Sequence, residues 1–247
     1  MVAQFAPPVT AAEPAIGAIV PHGSYQHSGA IVGQTLGRVA IPERCLILGS
    51  NHTGVGSPWS VMSDGAYQTP IGEVPIDQTL ARALLEACPL LEDEAIAHHG
   101  EHAIEVVLPF LQWLGPRSLS IVPIIVGSDE VDEYDQVATA IAHVLRQVGE
   151  PVLSVASSDF SQFEPRHVVT QKDAPLLRAI ETLDVRSFLQ GACHSSATIC
   201  GLGPIACVLS AAQQVGATTG RIIRYGTSAD GGGDPESVVG YAGILIT

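Results

Sequence analysis

The chain is short of cations. Its 247 residues carry 11 Lys+Arg against 25 Asp+Glu, a net charge of −14, and a single lysine, Lys172. Nonspecific nucleic-acid binding and attachment to an anionic membrane both rely on clustered cations, so this balance argues against each. One lysine leaves few candidates for Schiff-base chemistry. Close cysteine pairs are missing too. Cys45, Cys88, Cys193, Cys200 and Cys207 form an odd set with no CxxC spacing. That argues against a structural zinc cage and reads as reduced thiols in a cytoplasmic protein. No apolar run reaches ~18 uncharged residues, so no membrane span is expected. Met1–Pro14 has neither the basic stretch nor the continuous apolar stretch of a secretory leader. No Walker loop, GxGxxG, GxSxG or HExxH occurs. Gly231-Gly232-Gly233 precedes no helical pattern and reads as a flexible loop between late strands.

The chain does have apolar runs and the length to bury them. A single chain of this size buries roughly 70–75% of its unfolded surface without a disulfide or metal staple. Strand-like runs recur at Ala15–Val20, Cys45–Leu48, Leu119–Val126, Val152–Ala156, Arg221–Tyr225 and Tyr241–Ile246. Several are apolar throughout, as strands covered on both faces are. Helical stripes lie between them: Ile104, Val107, Leu108, Leu111 and Leu114; Val137, Ile141, Val144 and Leu145; Ile205, Val208, Leu209 and Ala212. The alternation predicts an α/β layered domain with a largely parallel central sheet flanked by helices. Trp59–Gln68 reads as an antiparallel excursion that makes the sheet mixed. Residues 1–247 read as one domain, with 1–14 a loosely ordered N-terminal segment.

In open α/β sheets ligands gather at the carboxyl ends of the strands. Here the first strand runs into Pro21-His22-Gly23-Ser24-Tyr25, the second into Gly49-Ser50-Asn51-His52-Thr53-Gly54, and the run near residue 155 into Ser157-Ser158-Asp159-Phe160. Asp159 could equally cap a helix or close an Asx turn. Cys200 precedes Gly201 and Pro204, which signal a helix start; the dipole there favours thiolate, a nucleophile or a soft metal ligand. His98, His99 and His102 cluster before the Ile104 stripe. His98 and His99 read as a solvated helix start. His102 lies one turn from Glu105, so a carboxylate could hold its imidazole for acid–base work.

These segments resemble the Memo family, of the AmmeMemoRadiSam system protein B type, itself similar to the LigB-type extradiol dioxygenases. The likeness rests on Pro21–Tyr25 with Ser28-Gly29, Ile47–His52, Tyr67–Pro70 leading to Ile76-Asp77, Glu101–Glu105 with Leu108-Pro109, Val122–Gly127, Ser157–Phe160, Thr198–Gly201 with Pro204-Ile205, and Ser237–Gly243. The resemblance implies a LigB-like fold and a metal pocket with His22, His52 and Cys200 as ligands. Iron(II) is the expected ion, copper or zinc the alternatives. Gln162 stands where the family usually has a further histidine, and Gln is a poor ligand for soft or borderline metals. The resemblance further implies non-haem dioxygenase-like oxidation of a small molecule, with His102 as acid–base residue oriented by Glu105 or Glu101. Asp159 would bond a ligand imidazole or the substrate. It also implies functional association with radical-SAM and AMMECR1-like proteins. Two alternatives follow from the same residues: a metal- or peptide-binding module without catalysis, and a hydrolase or transferase with Cys200 as nucleophile.

Overall fold

The computed structural model describes residues 2–6 and 12–247. The expectation for 1–14 therefore falls partly on residues 1 and 7–11, outside the described residues. In chain order the elements are α1 (Val2–Phe5), β1 (Gly17–Val20), α2 (Tyr25–Leu36), β2 (Arg44–Ser50), β3 (Trp59–Val61), β4 (Ala66–Thr69), β5 (Gly72–Pro75), α3 (Gln78–Ala87), β6 (Glu92–Asp93) and α4 (Leu108–Leu114). There follow β7 (Ser120–Val126), α5 (Val131–Val148), β8 (Val152–Ser157), β9 (Gln162–Glu164), α6 (Arg166–Glu181), α7 (Val185–Ser195), α8 (Leu202–Gln214), β10 (Gly220–Thr227) and β11 (Val238–Ile246). No described helix is long and apolar enough to cross a membrane.

Each of the six strand-like runs falls on a strand. The main sheet has nine strands in the order β10-β11-β1-β8-β2-β7-β3-β6, with β9 paired to β11. β1, β8, β2 and β7 run parallel to one another. Nearly every residue of these four is buried, because helices cover both faces, and this is why they read as continuous apolar runs. β11 is antiparallel to β1 and β10, and β3 to β7, so the sheet is mixed. The Trp59–Gln68 excursion divides. β3 joins the sheet, while β4 pairs with β5 in a separate two-stranded ribbon.

Two local expectations need correcting. The helix expected from Ile104 begins only at Leu108; Pro109 in its first turn lacks an N–H and suits a helix start. Residues 103–107 form turns, yet Ile104 and Val107 are still buried. The Gly231–Gly233 loop does lie between β10 and β11, but it is tied down. Ser228–Gly231 is a 3-10 turn in which Asp230 accepts the Thr227 N–H (2.8 Å) and pairs with Arg166 (2.6 Å).

Candidate metal centre

Three parallel neighbours, β1, β8 and β2, end side by side. Val20 and Gly49 both lie in register with Ser157. Each strand releases a polar side chain two residues past its last member: His22 after β1, His52 after β2, Asp159 after β8. A fourth segment, 101–104, closes over them. It can do so because β2 carries Gly49 at this level. A Cβ there would come within 2.9 Å of Ile104 and 3.0 Å of Ala103, tighter than real packing allows. The fourth segment brings Glu101 and His102.

The three imidazoles meet. Ring centroids lie 5.0 Å apart for His22 and His52, 5.4 Å for His22 and His102, and 4.8 Å for the stacked His52 and His102. One ligand nitrogen from each falls within 4.8 Å of the others, the arrangement a single ion requires. His22 is buried; the other two open to solvent, with side chains 34% and 53% exposed. Neighbours fix which nitrogen points inward. Ser157 Oγ donates to the Ala103 carbonyl (2.5 Å), so it accepts from His22 Nδ1–H (3.0 Å) and leaves Nε2 facing Cys200. Glu101 does the same for the other two. Its Oε1 lies 2.9 Å from His52 Nδ1 and 3.3 Å from His102 Nδ1. The carboxylate is itself held by the N–H groups of His52 (2.5 Å) and Ala103 (2.9 Å). A carboxylate behind a histidine sets its tautomer and raises its basicity as a ligand.

Cys200 completes the cluster, one residue before Gly201, the N-cap of α8. Its Sγ is 3.2 Å from His22 Nε2 and accepts the Asp159 N–H (3.3 Å). Gly201 is needed here, since a Cβ would overlap the Ser158 side chain. A cavity of about 330 Å³ opens beside Cys200 and His52, walled by Ser50, Asn51, Ile199 and Pro204.

Electrostatics follow from these contacts. Burial pushes the Cys200 thiol up, but hydrogen bonds from His22 and His52 prevail and hold it well below its ordinary value. Burial lowers His22, yet Cys200 wins and its pKa is raised. The Cys200 and Glu101 hydrogen bonds raise His52 to about 10. Burial opposes ionisation of Glu101, but bonds from His52 and Ala103 bring it down to about 2. His102, desolvated and facing His22, is lowered. Asp159 is lifted by burial to about 6.

The expected residues thus fare differently. His22, His52, His102, Asp159 and Cys200 converge; Glu105 does not join them. It is exposed, and Glu101 is the carboxylate at the imidazoles. Asp159 bonds no imidazole. Its Oδ1 accepts the backbone N–H groups of His22 (2.9 Å) and Gly23 (3.2 Å) and so clamps the first loop. Gln162 enters β9, its N–H bonded to Thr198 Oγ1 (3.0 Å), two residues from Cys200. His98 is buried rather than solvated: Tyr67 Oη lies 2.8 Å from its Nδ1, and its Nε2 is 3.2 Å from the Ser60 carbonyl. In the sequence Ser157 is marked only by its place in the Ser-Ser-Asp-Phe run. Its signal is its level at the end of a central strand.

Residues 1–245 match a family model described as Memo-like protein. A MEMO1 family protein of Methanopyrus kandleri is 37% identical over 233 residues, covering 93% of this chain and 82% of the relative. One from Methanococcoides burtonii is 37% identical over 234 residues, covering 95% and 87%. Among solved structures, uncharacterized protein JW3007 from Escherichia coli K12 superposes with a TM-score of 0.59 at 17% identity, covering 92% of this chain and 98% of that one. That likeness is one of fold.

Proposed function

This chain belongs to the Memo-like protein family, and on that premise we propose that it is a metal-dependent oxidoreductase whose ion is held by His22, His52 and His102, with Cys200 as a further donor. The observation that carries the reading is the convergence of three ligand nitrogens within 4.8 Å, two of them backed by one buried carboxylate. The residues fit such an ion on chemistry as well as position. Ser157 and Glu101 occupy the Nδ1 side of the rings and leave lone pairs inward. A set of imidazoles with a thiolate suits iron, copper or zinc, and iron(II) is our choice. A bound redox-active ion supplies activation of dioxygen or polarisation of a substrate oxygen. The chain's own residues do the rest. Glu101 holds His52 and His102 in one tautomer. Asp159 fixes the His22 loop through its two amides. His102, the most exposed of the three rings, puts the ion's open side toward solvent.

Elemental analysis after anaerobic reconstitution tests the reading. We expect about one iron or copper per chain, lost in His52→Ala. No bound metal in the wild type under those conditions would sink it. Oxygen consumption with a catechol-like compound separates an oxygenase from a metal-binding module.

A second reading is favoured by the 3.2 Å contact between Cys200 Sγ and His22 Nε2. A metal-free chain would present a thiolate–imidazolium pair, suited to nucleophilic attack on a carbonyl. Rapid alkylation of metal-free protein by iodoacetamide at pH 6, abolished in Cys200→Ser, supports it; alkylation no faster than for the exposed Cys193 excludes it.

A further inference from the structure

Glu105, three residues past His102, takes no part in the histidine cluster. It lines a separate cavity of about 570 Å³ bounded by α1, the start of α2, the link between β4 and β5, and α4. The wall is mostly apolar: Tyr25, Ile71, Val106, Pro109 and Trp113. Ile71 and Trp113 stand at its mouth, 49% and 54% exposed. The side-chain hydroxyls of the wall are already engaged. Tyr25 Oη donates to the Val106 carbonyl (2.8 Å). Thr69 Oγ1 lies 2.5 Å from Gln112 Oε1 and 2.9 Å from the Gly72 carbonyl, and accepts the Ile71 N–H (3.2 Å). Glu105 differs. Among the described residues it is the single charged group in the wall, and no hydrogen bond or ion pair occupies its carboxylate.

The open chemistry of the cavity is therefore one anion in a wall that also carries an indole and aliphatic side chains. A neutral apolar guest would strip water from that carboxylate without replacing it. An anionic guest would be repelled. A cation with an apolar body satisfies both parts, since its charge pairs with Glu105 and lies against the Trp113 face. The chain's net charge of −14 also concentrates cations around it. We propose that this cavity is a binding site for a small organic ammonium ion, its aryl or alkyl body against Trp113 and Ile71 and its charge on Glu105. The proposal does not depend on a metal at the histidines.

Calorimetric titration of the full-length protein with phenethylammonium, 2-phenylethanol and phenylacetate tests it. The exposed ion pair and cation–π contact predict that the amine binds about five- to tenfold tighter than the alcohol, and that phenylacetate does not bind. Glu105→Gln should erase the amine preference, and Trp113→Ala should weaken amine and alcohol alike. Both side chains are solvent-exposed, so melting temperatures should match the wild type and report an intact fold. His52→Ala should leave amine binding unchanged. Equal binding of amine and alcohol, no binding of either, a preference that survives Glu105→Gln, or one that disappears in His52→Ala would each overturn the assignment.

Discussion

His98 and His102 stand four residues apart and do opposite things. His98 is 5% exposed, and both of its nitrogens are consumed. The Ser60 carbonyl can only accept, so Nε2 carries the proton and Nδ1 accepts from Tyr67. Burial holds its pKa down to about 4. His102 has one nitrogen near Glu101 and the other available, with its ring stacked on His52. Depth in the fold therefore does not mark the imidazole that can do chemistry. An unspent nitrogen does, and here it belongs to the more exposed residue.

The sharpest way to break this contrast is to remove one ring of each kind. His52→Ala should abolish stoichiometric metal and, compared metal-free, cost about 1–3 kcal/mol by leaving the buried Glu101 carboxylate short of a partner. His98→Ala should keep the metal but cost about 2–4 kcal/mol, through a cavity and the unpaired Tyr67 hydroxyl and Ser60 carbonyl. Denaturant melts with elemental analysis read both; metal lost from both variants would erase the distinction. Next comes acid. The unfolded His98 titrates near 6.5 and the folded one near 4, so the unfolded state binds more protons between those values. The stability His98 contributes is complete above pH 6.5 and is lost as pH falls to 4, by up to about 3 kcal/mol. His98→Gln should flatten that part of the profile, and an unchanged slope would refute it. Glu101→Gln should then weaken metal binding about 10–100-fold without abolishing it, checked by competition with a chelator. The smallest effect is expected of Glu105→Gln, which should alter metal affinity less than about twofold; a larger loss would return Glu105 to the imidazoles.

Much of this is legible in the amino-acid sequence. Strands buried on both faces spell apolar runs, and His22, His52 and Asp159 each follow such a run by two residues. The helix at Cys200 was announced by Gly201 and Pro204. Other features resisted, for physical reasons. The spacing of His102 and Glu105 suits a helix, but the chain stays in turns until Leu108, so the neighbouring Glu101 meets the rings instead. His98 stands between Ala95-Ile96-Ala97 and His99-Gly100-Glu101, with no periodicity to mark its burial. Its partners, Ser60 and Tyr67, arrive from β3 and β4. Helix α6 carries Pro175 and a polar face, which hide its period. Asp159 spends its oxygen on backbone amides, a use that side-chain spacing cannot reveal.

His22 and Cys200 touch across 178 positions of sequence, and β1 reaches its partners only in β8 and β11. A nascent or nicked polypeptide lacking its last third keeps the three histidines but lacks Cys200 and β11, the antiparallel neighbour of β1. An ion bound as proposed with Cys200 as a donor would join the two ends of the chain and pull the equilibrium toward the folded state. At a free-ion level a hundredfold above the dissociation constant, the clasp adds about 2.7 kcal/mol to the native state. Starvation for the ion would then be felt first as shortened lifetime of the protein in the cell, before any loss of turnover per molecule.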